Sequence, residues 1–281
     1  MNVIFVEPGF PNNQRDFVRA LHAVGARVTG IGERPVDWLD GELKSWLSGY
    51  EQVSSVTDQA ALTEAVRRVQ GREWVDRLEA TVEAHVLVAA KAREACTIPG
   101  TSSRTAYLCR DKVAMKQALR EAGIPCAASA AVDSRADARD FAARIGYPLI
   151  LKPRDAAGAA GIHRVGDDAG LERVLGGVDE GAGIAVEEFV EGHEGYYDTL
   201  SIDGGVAHDF ITHYFPNVLE AMRTRWISPQ MVSTNRMDAP DYAELRDMGR
   251  RVIEVLGIGT SATHMEWFFG TKGLRFSEIG C

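Results

Sequence analysis

Two lysines and two glutamates, far apart in this chain, are of the types that hold an anionic ligand together with a divalent cation. Lys152 closes the apolar run "YPLILK" and is followed by "PRDAAGAAGI", where Gly158, Ala159, Ala160 and Gly161 leave the backbone almost bare. An ammonium group at the mouth of a strand binds anionic oxygens as a flexible point charge. Successive amides of a small-residue loop form anion-binding concavities. Lys112, in "RDKVAMKQALREAGIP", falls in the first turn of a helix that Asp111 is placed to cap. Each has a plainer reading: Lys112 as a solvated helix lysine, Lys152 as a strand-end lysine, the loop as a hairpin turn. The loop matches neither a Walker A pattern nor GxGxxG.

Glu266 and Glu278 lie on two consecutive strands of "THMEWFFGTKGLRFSEIG", separated by the turn "GTKG". Strand side chains alternate, so His264 and Glu266 share one face, Met265 and Trp267 the other, and Phe276 shares a face with Glu278. Hairpin pairing brings the two carboxylates together, and two hard oxygen donors suit Mg²⁺. The alternative is a hydrated acidic strand. His264 reads as a partly buried histidine with a backbone partner rather than a ligand. In "AVEEFVEGHEG", the backbone of Glu187, Glu188, Phe189 and Val190 offers donors and acceptors to a purine edge, and Glu194 can accept from ribose hydroxyls. Arg223 and Arg225, in "EAMRTRW", can clamp a carboxylate bidentately; solvated arginines are the other reading. His213 is a weaker candidate of the same kind.

The elements that must carry these residues follow one grammar: a helix-period stretch, a glycine, then a short apolar run. It recurs at Gly25, Gly123 and Gly146, where glycine takes the left-handed conformation past a helix end. Ser134 stands at a helix N-cap position. The first hundred residues read as a small parallel sheet covered by helices: "NVIFVEP", a helix near 13–24, "RVTGIG", "QVSSV", a helix near 58–69, a strand near 74–79 and the helix of "TVEAHVLVAAKAREA". From about residue 184 strands follow in quick succession, "IAVEEFVEG", "GYYDTLSIDGG" and "VAHDFITHY", as antiparallel hairpins. The helix "PDYAELRDMGRRVIEVLG" precedes the last two strands.

With 281 residues the chain is long enough for two domains. Its 45% hydrophobic and 25% charged composition is that of an ordinary globular protein. A net charge of -9 argues against nucleic-acid or anionic-membrane partners. Four scattered cysteines without a CxxC pair argue against a disulfide framework or structural zinc, and point to the cytoplasm. "MNVIFVEPGF" lacks a basic leader and reads as a first strand.

Taken in order, the lysine helix "RDKVAMKQALREAGIPCA", the second lysine with its loop, the hinge "IAVEEFVEGHEGYYDTL" and the acid pair of "HMEWFFGTKGLRFSEIG" resemble the ATP-grasp superfamily. "VDRLEATVEAHVLVAAKAREACTIPGTSSRTAYLCRDK" resembles the region preceding the grasp in biotin-carboxylase-like and amino-acid-ligase-like members. The resemblance implies a mixed α/β and α+β fold: a Rossmann-like parallel sheet over residues 1–100, then an ATP-grasp domain over 101–281. That domain holds a lid at approximately 126–190 and a C-terminal antiparallel sheet. It implies ATP, with Mg²⁺ (or Mn²⁺) on Glu266 and Glu278. Lys112, Lys152, Gly158–Gly161, the segment Glu187–Val190 and Glu194 would be around the nucleotide, with Lys152 and Arg225 as catalytic groups. The implied activity is carboxylate–amine ligation of small molecules through an acyl phosphate, yielding ADP and phosphate. Its alternatives are a bicarbonate-activating enzyme and a nucleotide-binding protein whose catalysis is lost. A homodimer is compatible with the pattern. Two departures stand out: Gly280 occupies a place where the family commonly has Asn, and the family usually continues past the strand that ends at Cys281, so the natural protein is expected to be longer.

Overall fold

The computed structural model describes residues 1–154, 161–177, 183–224 and 226–281. The chain forms two compact units, Met1–Ala106 and Tyr107–Cys281.

The first unit alternates strands and helices: β1 (Asn2–Val6), α1 (Gln14–Ala23), β2 (Arg27–Gly32), α2 (Gly41–Trp46), β3 (Gly49–Gln52), α3 (Gln59–Gln70), β4 (Arg77–Glu79) and α4 (Glu83–Ala95). The strands form one parallel sheet in the order β3-β2-β1-β4. Its two faces are both covered. Ile4 and Val6 pack with Leu62, Val66 and Leu78 on one side, while Val3 and Phe5 pack with Val18, Val28 and Leu43 on the other. A strand buried on both faces has no polar register, which is why β1 reads as an unbroken apolar run. The third strand lies earlier than "QVSSV" suggests. Pairing uses Gly49–Gln52, and Val53 and Val56 instead enter the core beside α3.

α5 (Ser103–Arg110) leads to the second unit, which contains α6 (Lys112–Glu121), β5 (Ser129–Val132), α7 (Arg135–Ile145), β6 (Leu149–Pro153), β7 (His163–Val165), α8 (Asp168–Gly176) and β8 (Ile184–Glu188). Strands β5-β8-β6-β7, in that order, make a small antiparallel sheet. Its core joins Leu149, Leu151 and Val186 to Phe141 of α7 and Leu171 of α8. Ser134 closes a full capping box with Asp137 at the start of α7. β8 therefore belongs to this sheet, between β5 and β6, and is not the first arm of a hairpin with the strand that follows it. The apolar alternation of β8 is satisfied equally by either partner, so the pattern alone could not choose.

The remaining elements are β9 (His193–Ile202), β10 (Gly205–Phe215), α9 (Val218–Arg223), β11 (Gln230–Ser233), α10 (Ala243–Leu256), β12 (Ser261–Gly270) and β13 (Gly273–Gly280). Sheet order is β11-β10-β9-β12-β13, all antiparallel. Asp203 and Gly204, both at positive φ, make the tight turn between β9 and β10. One face of this sheet is the main core, where Tyr197, Ile211, Met265, Trp267 and Phe276 meet Met115 and Leu119 of α6 and Met248, Val252 and Leu256 of α10. A Cβ on Gly249 would lie 2.3 Å from the Tyr197 ring, so glycine is what lets α10 approach β9. The other face carries the polar residues described next. No helix of the described residues is long and apolar enough to cross a membrane.

Candidate functional site

The site grows from the start of α6 and the ends of β6 and β8. Asp111 caps α6 with one carboxylate oxygen, accepting from Val113 N and Ala114 N at 3.1 and 2.9 Å. Its other oxygen takes Arg154 Nη2 at 2.7 Å, and Lys112 N donates to Arg154 O, so the helix start is tied to the end of β6. This fixes Lys112 beside Lys152. Lys116, one helical turn on, reaches inward with the apolar stripe of Met115 and Leu119 and is almost wholly buried.

Glu187 of β8 gathers the lysines. Its Oε2 lies 2.7 Å from Lys116 Nζ and 3.0 Å from Lys152 Nζ. Burial alone pushes the Glu187 carboxyl up, but the two ammonium groups reverse this and hold it at about 2. Burial works against the charge on Lys152 as well, and Glu187 and Glu278 outweigh it, so its pKa stands above the ordinary lysine value. Oε1 of Glu187 is buried without a hydrogen-bond partner among the described residues.

Across from the lysines stands the β12–β13 hairpin, where Glu266 and Glu278 face each other directly in register. A β-bulge makes this so. Glu266 pairs with Glu278 but Trp267 pairs with Phe276, leaving Ser277 as an extra residue. Phe276 and Glu278 consequently do not share a face: Phe276 is buried in the core while Glu278 turns to the polar side. Strict alternation would have driven the carboxylate into that core. Glu278 Oε2 lies 3.4 Å from Lys112 Nζ and 3.7 Å from Lys152 Nζ. The hairpin turn is joined to the small sheet as well, through Lys272 Nζ and Glu188 Oε1.

The same face continues over β9 and β10. His264 Nδ1 is 2.7 Å from Asp198 Oδ1, and its Nε2 is 3.8 Å from Glu266 Oε1. The partner of His264 is thus a side chain, not the backbone, and the hydrogen bond to Asp198, with the nearby Glu266 carboxylate, raises its pKa to about 10. Tyr196 packs between His264 and Tyr214, with ring centroids 4.7 and 5.3 Å away. Glu194, buried, accepts from Val218 N at 2.7 Å. Burial first, and the nearby Glu266 second, raise its pKa to about 7.

Residues 111–194 match the family described as Carbamoyl-phosphate synthase L chain, ATP binding domain. The chain is 26% identical over 228 residues to the L-arginine-specific L-amino acid ligase of Bacillus subtilis, covering 79% of this chain and 54% of that protein. It is 26% identical over 227 residues to an alanine–anticapsin ligase of Bacillus subtilis, covering 73% and 48%. The chain thus spans about half the length of these curated relatives. Its fold matches the crystal structure of an L-amino acid ligase from Bacillus licheniformis with a TM-score of 0.79 at 21% identity, over 99% of this chain and 66% of that one. Over residues 111–194 and in its fold, the chain is similar to ATP-grasp enzymes.

Against the sequence expectations, the structure brings Lys112, Lys152, Glu266 and Glu278 to one place. It gives Glu187 a side-chain position between two lysines, beyond the backbone role read for it. The N–H groups of Glu188 and Phe189 are already committed to the carbonyls of Ala128 and Pro148. Val190 follows the strand, and Gly161 has φ +74 beside Pro153. Gly158, Ala159, Ala160 and Arg225 lie outside the described residues. Arg223 ends the short helix α9. His213 is engaged elsewhere, with Nδ1 2.8 Å from His193 and Nε2 2.8 Å from Tyr242. Sequence reading missed Lys116, whose i+4 spacing from Lys112 was available, and Asp198, whose link to His264 spans sixty-six residues.

The acid pair fits a hard divalent cation. Two carboxylates meet in register, each partly open to solvent, and Glu278 lies beside Lys112 and Lys152. No cluster of three or more His, Cys, Asp or Glu suited to a metal exists among the described residues. Among the described residues the pair would offer two carboxylate ligands to such an ion.

Proposed function

We propose that this chain is the nucleotide-binding part of an ATP-dependent carboxylate–amine ligase that joins small acids to amines. The observation that carries the reading is the convergence of Lys112 and Lys152 on Glu278, with Glu266 opposite. Lys112 and Lys152 beside two outward carboxylates suit a triphosphate bound with a cation, and the unpartnered Oε1 of Glu187 supplies an acceptor for a ligand N–H. The ligase names of the relatives support the reaction class.

In this reading an oxygen of the acid attacks the γ-phosphorus, and its bond to the bridging oxygen breaks as ADP leaves. The amine nitrogen then attacks the acyl carbon, phosphate departs, and the nitrogen loses a proton. Lys152 and Lys112 neutralise charge on the transferring phosphoryl group, which is where catalysis of this kind acts. Glu187 keeps Lys152 oriented, and Glu266 and Glu278 would hold a magnesium ion, which would supply charge neutralisation. Glu194 is the acid for the ribose, Gly158–Gly161 cover the phosphates, and Arg225 is the candidate for the acid's carboxylate. The lid, at approximately 126–190, excludes water from the acyl phosphate. A cytoplasmic setting goes with the four free cysteines.

The test is ADP release from the full-length protein, screened over acids crossed with amines. ADP that appears only with both substrates supports ligation; ADP with bicarbonate alone redirects the assignment. Lys152→Ala is expected to weaken Mg-ATP binding at least tenfold, read by calorimetric titration. An unchanged affinity removes Lys152 from the site.

A further inference from the structure

The pair His264 and Asp198 has no part in the reading above, yet it sits against one of the two carboxylates that reading depends on. We infer that His264, braced by Asp198, is a positioning residue that turns Glu266 toward Glu278 and the divalent cation of the bound nucleotide.

The geometry is directional. His264 pairs in register with Asp198 of β9, and its Nδ1 is 2.7 Å from Asp198 Oδ1. That bond fixes the ring plane and leaves Nε2 as the free edge, 3.8 Å from Glu266 Oε1. Glu266 is two residues further along β12, on the same face, with Tyr196 opposite it on β9 and Glu278 opposite it on β13. The Tyr196 ring packs on His264 at 4.7 Å and closes the remaining side. Without the imidazole, Asp198 and Glu266 would face each other as like charges, and Glu266 would have three rotatable bonds with nothing to set them. With it, the carboxylate is confined to the side where Glu278 stands. Groups that orient a metal-binding side chain commonly change metal affinity by about 10- to 100-fold when removed. Asp198 acts one step further out, by holding the ring.

This inference rests on the proposed metal-nucleotide site, and its test separates the two. Mn²⁺ binding to the full chain saturated with ATP is followed by electron paramagnetic resonance, which reads free Mn²⁺ without any turnover. His264→Ala is expected to raise the Mn²⁺ dissociation constant about 10- to 100-fold, with thermal stability nearly unchanged because His264 is half exposed on the sheet face. Two conservative variants divide positioning from a structural tie between strands. His264→Gln can still reach Glu266 and should keep more of the affinity than His264→Asn, which can keep the Asp198 bond but falls short of Glu266. The reverse order, or four superimposed titrations, overturns the inference while the metal site stands. If wild-type protein with ATP binds no Mn²⁺, the metal-nucleotide reading fails and this inference falls with it.

Discussion

Glu187 is the side chain whose removal should be felt most, and the structure sets the size of the effect. Glu187→Gln leaves Lys116 and Lys152 buried 2.7 and 3.0 Å from a neutral amide. Breaking a buried pair from one side costs about 3–5 kcal/mol, because charge stays behind uncompensated. For a unit of 175 residues (281 − 106), each kcal/mol moves the melting temperature by about 2–4 °C. The second unit's calorimetric transition should therefore fall by roughly 6–20 °C. Lys116→Met is the contrast, since Glu187 keeps Lys152 and an apolar chain of similar length fills the space; it should cost well under half as much. Acid titration gives a second reading. The folded pKa of Glu187 is depressed, so its contribution is complete above the unfolded value near 4.5 and is lost as pH falls toward about 2. The difference corresponds to about 3 kcal/mol, and this acid-labile part should be missing from Glu187→Gln. Equal melting shifts for Glu187→Gln and Lys116→Met would refute the reasoning, because the charge hub would then have no special place in the fold.

Two further outcomes follow from the same face. Glu278→Gln should bind metal-free ATP more tightly than wild type while losing most of the gain from Mg²⁺, measured by paired calorimetric titrations with and without the ion. Glu194 behaves oppositely to Glu187: its folded pKa is raised to about 7, so stability falls as pH climbs from about 4.5 through 7, by about 3 kcal/mol in all. Glu194→Gln should flatten that slope in urea unfolding between pH 5 and 8 and be the more stable form at pH 8; parallel slopes would count against a buried, protonatable Glu194.

Local chemistry in the sequence located much of this site, and its failures are local too. Asp111 and Ser134 were legible as caps because a short polar side chain before an apolar-periodic stretch has one efficient use. The facing of His264 and Glu266 followed from strand alternation. The pairing of Glu278 with Glu266 was legible, but Phe276 was put on the same face as Glu278 because a bulge is a single inserted residue, and "LRFSEIG" carries no glycine or proline at Ser277 to announce it. Lys116 was passed over because lysine on a helix is read as solvated, although its spacing put it with Met115 and Leu119 in the buried stripe. Asp198 was out of reach for another reason: its meaning depends on strand pairing between β9 and β12, and register between distant strands is not written in either strand alone.

The bulge at Ser277 has a further physical sense. In the chain by itself, Glu278 is an anion that Lys112 and Lys152 share, at 3.4 and 3.7 Å. A triphosphate entering alone must displace that carboxylate from the lysines and then lie against it, so like charges meet at the point of tightest contact. In the proposed reading Glu278 would instead hold a divalent cation, which would supply the charge neutralisation that removes both difficulties. Nucleotide and cation would then be coupled through one glutamate, and by linkage each would favour the other equally. Had strict alternation held, Glu278 would be inside the core and the lysines would meet phosphate without Glu278 as a competitor, with no such coupling. On the proposed reading, the extra residue is what would turn two separate binding events into a conditional pair.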